Sequence, residues 1–171
     1  MAGPLGIAIL ALTVLMAVAR PSLGQAVRVD RIELLEAGLY RAEQAGRMPA
    51  PGSVAGNINR LASVTFYEQT SRVPARVGVR FGVRFDVIGA PERAIVPLRA
   101  IWRFPAPGLR DPRSGKVYTE SVENFRSPIG EPRQRGYGLD NDWELVPGEW
   151  TFEILYVERR LLSHTFTVYK P

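Results

Sequence analysis

Histidine and cysteine, the side chains that most often supply a nucleophile, a general base or a zinc ligand, are nearly missing from this sequence. Its 171 residues include no cysteine and a single histidine, His164. A Ser-His-Asp triad would have to be built on that residue. His164 stands between Leu162 and Phe166 in an alternating segment, which favours a side chain packed within a strand. Since zinc sites need three or four ligands, we expect no zinc and no catalytic residue.

The densest group of carboxylates is Asp140, Asp142 and Glu144. Such oxygen ligands suit Ca²⁺, but the segment has neither the glycine nor the later glutamate of a calcium loop. It is more typical of a turn whose aspartates bond their own backbone. Glu120 and Glu123 are three residues apart, which puts them on opposite faces of a strand and argues against a glycosidase pair. No Gly-rich phosphate loop is present, so we expect neither a metal, nor a cofactor, nor enzymatic activity.

Arginine supplies nearly all the positive charge, and the formal net charge is +5. Arg80 and Arg84 share the solvent side of one predicted strand, and Arg99 and Arg103 share that of the next. If the two strands are hairpin neighbours, the four form one basic face for an anionic surface, an acidic glycan or an envelope protein. The alternative is a solvated face whose arginines pair with nearby carboxylates: Glu153, Asp86 or Glu92.

The aromatic residues divide into a buried set and a possible ligand-stacking set. We expect Trp102 and Trp150 to fill the core, because both alternate with polar residues in predicted strands. Tyr137 and Trp143 stand in loop-like segments and are the aromatics that could stack on a ligand. Because the other aromatics take core positions, a nucleic-acid groove of interleaved basic and aromatic side chains is not expected.

Alternation of apolar and polar residues dominates the chain and predicts strands rather than helices. The predicted strands are 27–36, 59–67, 77–88, 94–104, 117–123, and a terminal hairpin of 150–156 with 162–168. Loops rich in Pro and Gly are predicted at 42–58, 105–116 and 124–137. About seven strands with turns between them predict an all-β, immunoglobulin-like antiparallel β-sandwich. Pro97, in the fourth strand, predicts an edge position or a bulge.

The first residues have the pattern of a signal peptide. Residues 5–18 are apolar and uncharged, Pro21 follows, and small residues surround the expected cleavage site, after Gly24 or after Ala26. An uncleaved anchor is the alternative, although the apolar run is shorter than a spanning helix needs. We therefore expect a signal peptide at 1–24, a single domain at 27–170, a periplasmic or secreted location, and no transmembrane segment after cleavage.

Three segments resemble a bacterial family, the domain of unknown function 3859. They are 36–40 (EAGLY), 80–85 (RFGVRF) and 143–152 (WELVPGEWTF), and the resemblance covers roughly 27–169. It implies a domain without implying an activity. The Leu145-x-Pro147-Gly148-x-Trp150 pattern is also similar to the entry of a late strand in fibronectin III-like sandwiches, which implies only a fold.

These observations predict an exported, non-catalytic binding or protein-interaction module of the bacterial envelope, acting through a sheet edge or the arginine face. The alternative is a small-ligand or glycan-binding protein that uses the loops 105–116 and 124–143.

Overall fold

The computed structural model describes residues 26–54 and 56–171. The strands are β1 (Arg28–Pro49), β2 (Asn57–Gln69), β3 (Arg72–Pro74), β4 (Arg80–Ala90), β5 (Ile95–Arg103), β6 (Leu109–Arg110), β7 (Val117–Tyr118), β8 (Glu120–Pro128), β9 (Arg133–Gly138), β10 (Gly148–Tyr156) and β11 (Arg159–Tyr169), with one 3₁₀ turn at Asp142–Glu144. The predicted signal peptide, 1–24, lies outside these residues. Within them, no helix is long and apolar enough to cross a membrane.

Two main sheets form the molecule. One has the strand order β2-β1-β4-β9, and the other has the order β3-β11-β10-β5-β8. The short strands β6 and β7 make a separate ribbon, and only β3 pairs in parallel, with β11. This arrangement confirms the all-β antiparallel sandwich, with more strands than the seven predicted.

The core lies between the two sheets and is built by the predicted alternation. On β4, alternate residues from Phe81 to Val87 are fully buried, because successive side chains point to opposite faces of a strand. Trp102 and Trp150 are buried as predicted, and both pack edge-on against Phe81. Each such aromatic contact adds about 1 kcal/mol beyond the buried area.

The first hairpin is much longer than predicted. The sequence predicts a strand at 27–36 and a loop at 42–58, but β1 runs to Pro49 and β2 begins at Asn57. The small residues there show little alternation, and the strands are held by their mutual ladder, which contains three register shifts. Because β4 pairs with β1 only as far as Leu39, the remainder of the hairpin, residues 40–54 and 56–66, extends beyond β4; we call it the arm.

The tip of the arm is fixed to the last strand of the opposite sheet. Val54 is buried in the common core, and its N–H donates to Ser121 Oγ at 3.3 Å. The N–H of Val122 donates to the carbonyl of Gly52 at 2.9 Å. The arm thus crosses the open side of the sandwich, where β9 ends one sheet and β8 ends the other.

The predicted loop at 124–137 is wrong, because most of it belongs to β8 and β9. Its Gly and Arg residues are typical of a loop, but in the structure they belong to two strands joined by a short turn. The Pro97 prediction fits the structure: β5 is an inner strand, but β10 accompanies it only from Arg99 to Arg103. Pro97 therefore lies beyond the β10 ladder, where its missing N–H leaves no bond unmade.

Candidate functional site

The predicted arginine face is wrong as a single surface. After β4 the chain turns near Pro91 and enters the other sheet, so β4 and β5 are not hairpin neighbours. The four arginines are also engaged with carboxylates: Arg80 with Asp140 at 3.0 Å, Arg84 with Glu36 at 3.0 Å, Arg99 with Glu158, and Arg103 with Glu120 at 2.9 Å and Glu153 at 3.0 Å. The predicted pairing with Glu153 is confirmed for Arg103.

Glu153 is nearly buried on the outer face of its sheet, between Arg103 and Arg160. Burial acts to raise the pKa of Glu153, but hydrogen bonds from Arg160 and Arg103 outweigh it and lower the pKa. Because Arg103 also pairs with Glu120, the two arginines face two carboxylates, and their charge is balanced within the sheet rather than left for an external anion.

A cleft of about 380 Å³ lies where the arm crosses the open side of the sandwich; we call it the arm cleft. Its arm wall is largely apolar: Met48, Val54, Ile58 and Leu61. Its other wall carries polar and aromatic groups: Arg80, Trp102, Ser121, Glu123, Tyr137, Asp140 and Glu144. The space is thus apolar on one side and polar on the other.

Strand β9 borders the arm cleft along its length. Five consecutive residues, 134–138, line the space. Successive side chains of a strand point to opposite faces, so only the free edge of β9 can present all five to one cavity. Tyr137, which the sequence singled out, is among these five. Trp143 is partly buried against the core and is not a lining residue.

Glu144 anchors the floor of the arm cleft. It is only 3% exposed. One carboxylate oxygen accepts the hydroxyl of Tyr137 at 2.7 Å, and the other accepts the N–H of Asp140 at 2.9 Å and of Asn141 at 2.7 Å, together with the Asn141 side chain at 3.0 Å. Burial, reinforced by Glu144, raises the pKa of Tyr137 well above its usual range. These contacts make Glu144 the acceptor of a 3₁₀-turn cap.

The acidic segment does not converge as a calcium loop. Asp140 is turned to Arg80, and Glu144 faces the protein donors just described. Within residues 26–54 and 56–171, no cluster of three or more His, Cys, Asp or Glu side chains is placed to hold a metal ion.

Tyr40 closes one end of the arm cleft by lying against the face of β9. A Cβ at Gly136 would come within 2.5 Å of the Tyr40 ring, so glycine is required for this approach. Burial raises the pKa of Tyr40 to about 12, although Arg80 acts to lower it. The phenol is therefore neutral at any physiological pH.

Arg135 and Glu123 form an ion pair between the two sheets, at 3.2 Å. The Arg135 guanidinium also lies 4.0 Å from the centre of the Phe125 ring. Burial raises the pKa of Glu123 and lowers that of Arg135, each against the opposing charge of the partner. The pair bridges the open side of the sandwich and contributes no free charge to the cleft.

His164 lies outside the arm cleft. It is half-buried on β11, with its Nε2 3.0 Å from Ser71 Oγ and its ring packed on Phe166. Burial lowers the pKa of His164. Its position in the strand agrees with the prediction. The contact between His164 and Ser71 is an exposed side-chain hydrogen bond.

Sequence reasoning located Tyr137 but missed the arm. The predicted binding loop 105–116, which contains β6, contributes no lining residue, whereas 124–143 contributes β9 and Asp140. The one local signal was the pair Gly136 and Gly138, which alternate with larger residues and leave one face of β9 bare.

Comparison with solved structures supports the fold. The immunoglobulin-like protein PA1606 from Pseudomonas aeruginosa is 23% identical and has a TM-score of 0.54, with 86% of this chain and 100% of that chain covered. The alkylpurine DNA glycosylase AlkC from Pseudomonas fluorescens, bound to DNA containing an abasic site analogue, covers 57% of this chain and 27% of its own, at 19% identity and a TM-score of 0.36. The second likeness is too low to carry an argument.

Comparison with curated proteins gives no match. A family model does match, over residues 28–168, and this span includes every strand from β1 to β10 and all of β11 except Tyr169. The immunoglobulin-like sandwich and the family resemblance read from three short segments are thereby both confirmed. The chain belongs to the family described as Domain of unknown function (DUF3859).

Proposed function

We propose that this protein is an exported, non-catalytic binding module whose ligand occupies the arm cleft. The observation that carries the proposal is the covered space of about 380 Å³ with one apolar and one polar wall. Ligand sites are typically concave, largely apolar and supplied with a few oriented polar groups. The arm cleft is concave, its arm wall is largely apolar, and its opposite wall carries oriented polar groups.

The way the arm is held supports a preformed site. Val54 fixes its tip in the core, and Tyr40 packs on Gly136 at its base. Between these two contacts the apolar wall is held away from β9. A ligand therefore meets a cavity that already exists, and binding does not have to order the arm first.

The non-catalytic part of the proposal rests on the state of the polar groups. The Glu144 carboxylate is occupied by four donors, and the charges of Arg80 and Arg135 are each matched by a carboxylate. General acid–base catalysis needs a group free to exchange a proton with a substrate. The described lining residues offer positioned, engaged groups, which suits binding.

The export part of the proposal rests on the sequence: an apolar run at 5–18, then Pro21 and small residues. Fusion of the full chain to a reporter active only outside the cytoplasm tests it. We expect reporter activity that is lost when two arginines are placed within 5–18. Reporter activity confined to the cytoplasm would contradict export.

The binding site is tested by plugging it. The chain has no cysteine, so Gln134→Cys in the cleft and Glu149→Cys, at an exposed position of β10, can each be alkylated at one thiol. Thermal unfolding is then followed with three probes: maltose, glycerophosphocholine and an N-acetylated, C-amidated Thr-Val-Thr-Val-Thr peptide. We expect at least one probe to raise the Tm, except in alkylated Gln134→Cys.

Alkylated Glu149→Cys is the matched control and keeps the response. Absence of any Tm change with all three probes, or a change that survives alkylation at position 134, would contradict binding in the arm cleft.

A further inference from the structure

We propose that the ligand of the arm cleft is an extended peptide segment of another protein, added to β9 as a fifth strand of its sheet. This inference rests on the proposed function and names the ligand chemistry of the same site. It is carried by the free edge of β9.

The hydrogen-bond pattern of β9 shows which backbone groups face the cleft. Leu139, directly after the strand, donates its N–H to the carbonyl of Val79 at 2.9 Å, and β9 pairs with β4 without a register shift. In an antiparallel ladder, alternate residues direct their backbone groups to the same neighbour. The backbone N–H and C=O groups of Arg135 and Tyr137 therefore face β4. The backbone groups of residues 134, 136 and 138 face away from it.

All but one of these outward groups are available to a ligand. The carbonyl of Gln134 accepts the Arg135 guanidinium at 2.8 Å. Among the described residues, the other outward groups, the N–H of Gln134 and both backbone groups of Gly136 and Gly138, have no protein partner. An unpaired strand edge of this kind is a template for strand addition.

Beyond the Gln134 carbonyl, which the Arg135 guanidinium occupies, the side chains of β9 leave the approach open. Gly136 and Gly138 carry none, and Tyr40 occupies the face over Gly136 rather than its edge. The strand contains neither proline nor lysine, which are the usual residues that block edge pairing. An incoming backbone can thus reach hydrogen-bonding distance.

The arm specifies the side chains of such a peptide. Met48, Ile58 and Leu61 face the cleft from the arm, so alternate residues of an added strand would contact an apolar wall. The charges on the other wall are paired internally, Arg80 with Asp140 and Arg135 with Glu123. An uncharged segment with apolar residues at every second position complements both walls.

Two other edges, at β2 and at β5, are less suited to strand addition. The edge strand β2 is interrupted where its register with β1 shifts, next to Tyr40 and Gln44, and such bulges hinder edge pairing. The exposed stretch of β5 beyond β10 contains Pro97, which lacks a donor.

Hydrogen exchange of individual amides tests the inference. The probe is the blocked Thr-Val-Thr-Val-Thr peptide at millimolar concentration, and the control is the same peptide N-methylated at every amide. We expect exchange at positions 134, 136 and 138 to slow at least tenfold with the probe and not with the control. Amides 135 and 137 already lie in the ladder and should not change.

A matched pair of variants isolates one backbone bond. Gln134→Pro removes an outward N–H without touching the ladder, whereas Gln134→Ala removes the side chain and keeps the N–H. We expect the probe to bind about fivefold more weakly to the proline variant, as for one lost neutral hydrogen bond, and with near-normal affinity to the alanine variant.

Equal binding of the methylated peptide, or protection without the alternating pattern, would overturn strand addition. So would unchanged exchange at 134, 136 and 138 while maltose or glycerophosphocholine still binds the arm cleft; that result would leave the proposed function standing. A cleft that accepts no probe of any class contradicts the proposed function together with this inference.

Discussion

Glu144 is the residue on which the geometry of the arm cleft most depends, because its carboxylate accepts four hydrogen bonds while almost fully buried. Glu144→Gln replaces one acceptor oxygen with an NH₂ group, which then faces the donors that the carboxylate accepts in the native protein. We expect the free energy of unfolding to fall by about 2–3 kcal/mol, the cost of a buried charge-assisted contact. Chemical denaturation measures this, with exposed Glu149→Gln as the control. A loss below about 0.5 kcal/mol would show that the carboxylate does not organise the segment.

Tyr40 gives the protein a stability limit at alkaline pH. Its pKa rises from 10.0 unfolded to about 12 folded. A group with a raised folded pKa contributes its full stabilisation below the unfolded pKa and loses it as the pH rises through the folded value. We expect the free energy of unfolding to fall between pH 10 and 12, by about 2 kcal/mol from Tyr40. The pH profile of Tyr40→Phe should be flatter, whereas exposed Tyr67→Phe should follow the parent protein.

At the scale of elements, Val54 is the apolar anchor of the arm tip. Val54→Ala removes two methyl groups from the core, and we expect a loss of about 1–2 kcal/mol. The tip should also open more often, which exchange of the Val122 amide reports because that N–H bonds the Gly52 carbonyl. Val77→Ala, at a half-exposed position, is the control. Unchanged exchange at Val122 would mean that other contacts hold the arm.

The β10–β11 turn contains a local strain that the sequence does not reveal. Val157 and Glu158 have φ values of 46° and 62°, in the left-handed region that favours glycine or asparagine in a two-residue hairpin. We expect Glu158→Gly to be about 1 kcal/mol more stable than Glu158→Ala. Both variants lose the ion pair with Arg99, so thermal unfolding of the two isolates the backbone effect. Equal stability would place the strain elsewhere.

At the scale of the whole molecule, the sandwich was predictable from local alternation, but the site was not. Alternation of apolar and polar residues reveals the buried faces of the segments 81–85 and 150–152 in the sequence. It does not reveal the first strand of the arm, because residues 40–49 show little alternation and are held by the ladder with β2, whereas alternation did predict the second strand at 59–67. The assignment of β4 and β5 to different sheets also depends on long-range packing, which is why four arginines that look like one face are divided between two.

The most direct measurement of the central claim is photocrosslinking of the protein in its native host. A photoreactive amino acid is placed at Leu61 or Gln134 in the arm cleft, or at Arg103 on the outer face of the opposite sheet. Binding in the arm cleft predicts adducts from Leu61 and Gln134 and none from Arg103. Adducts from Arg103 alone would contradict binding in the arm cleft and would indicate that the ligand binds the outer face that carries Arg103.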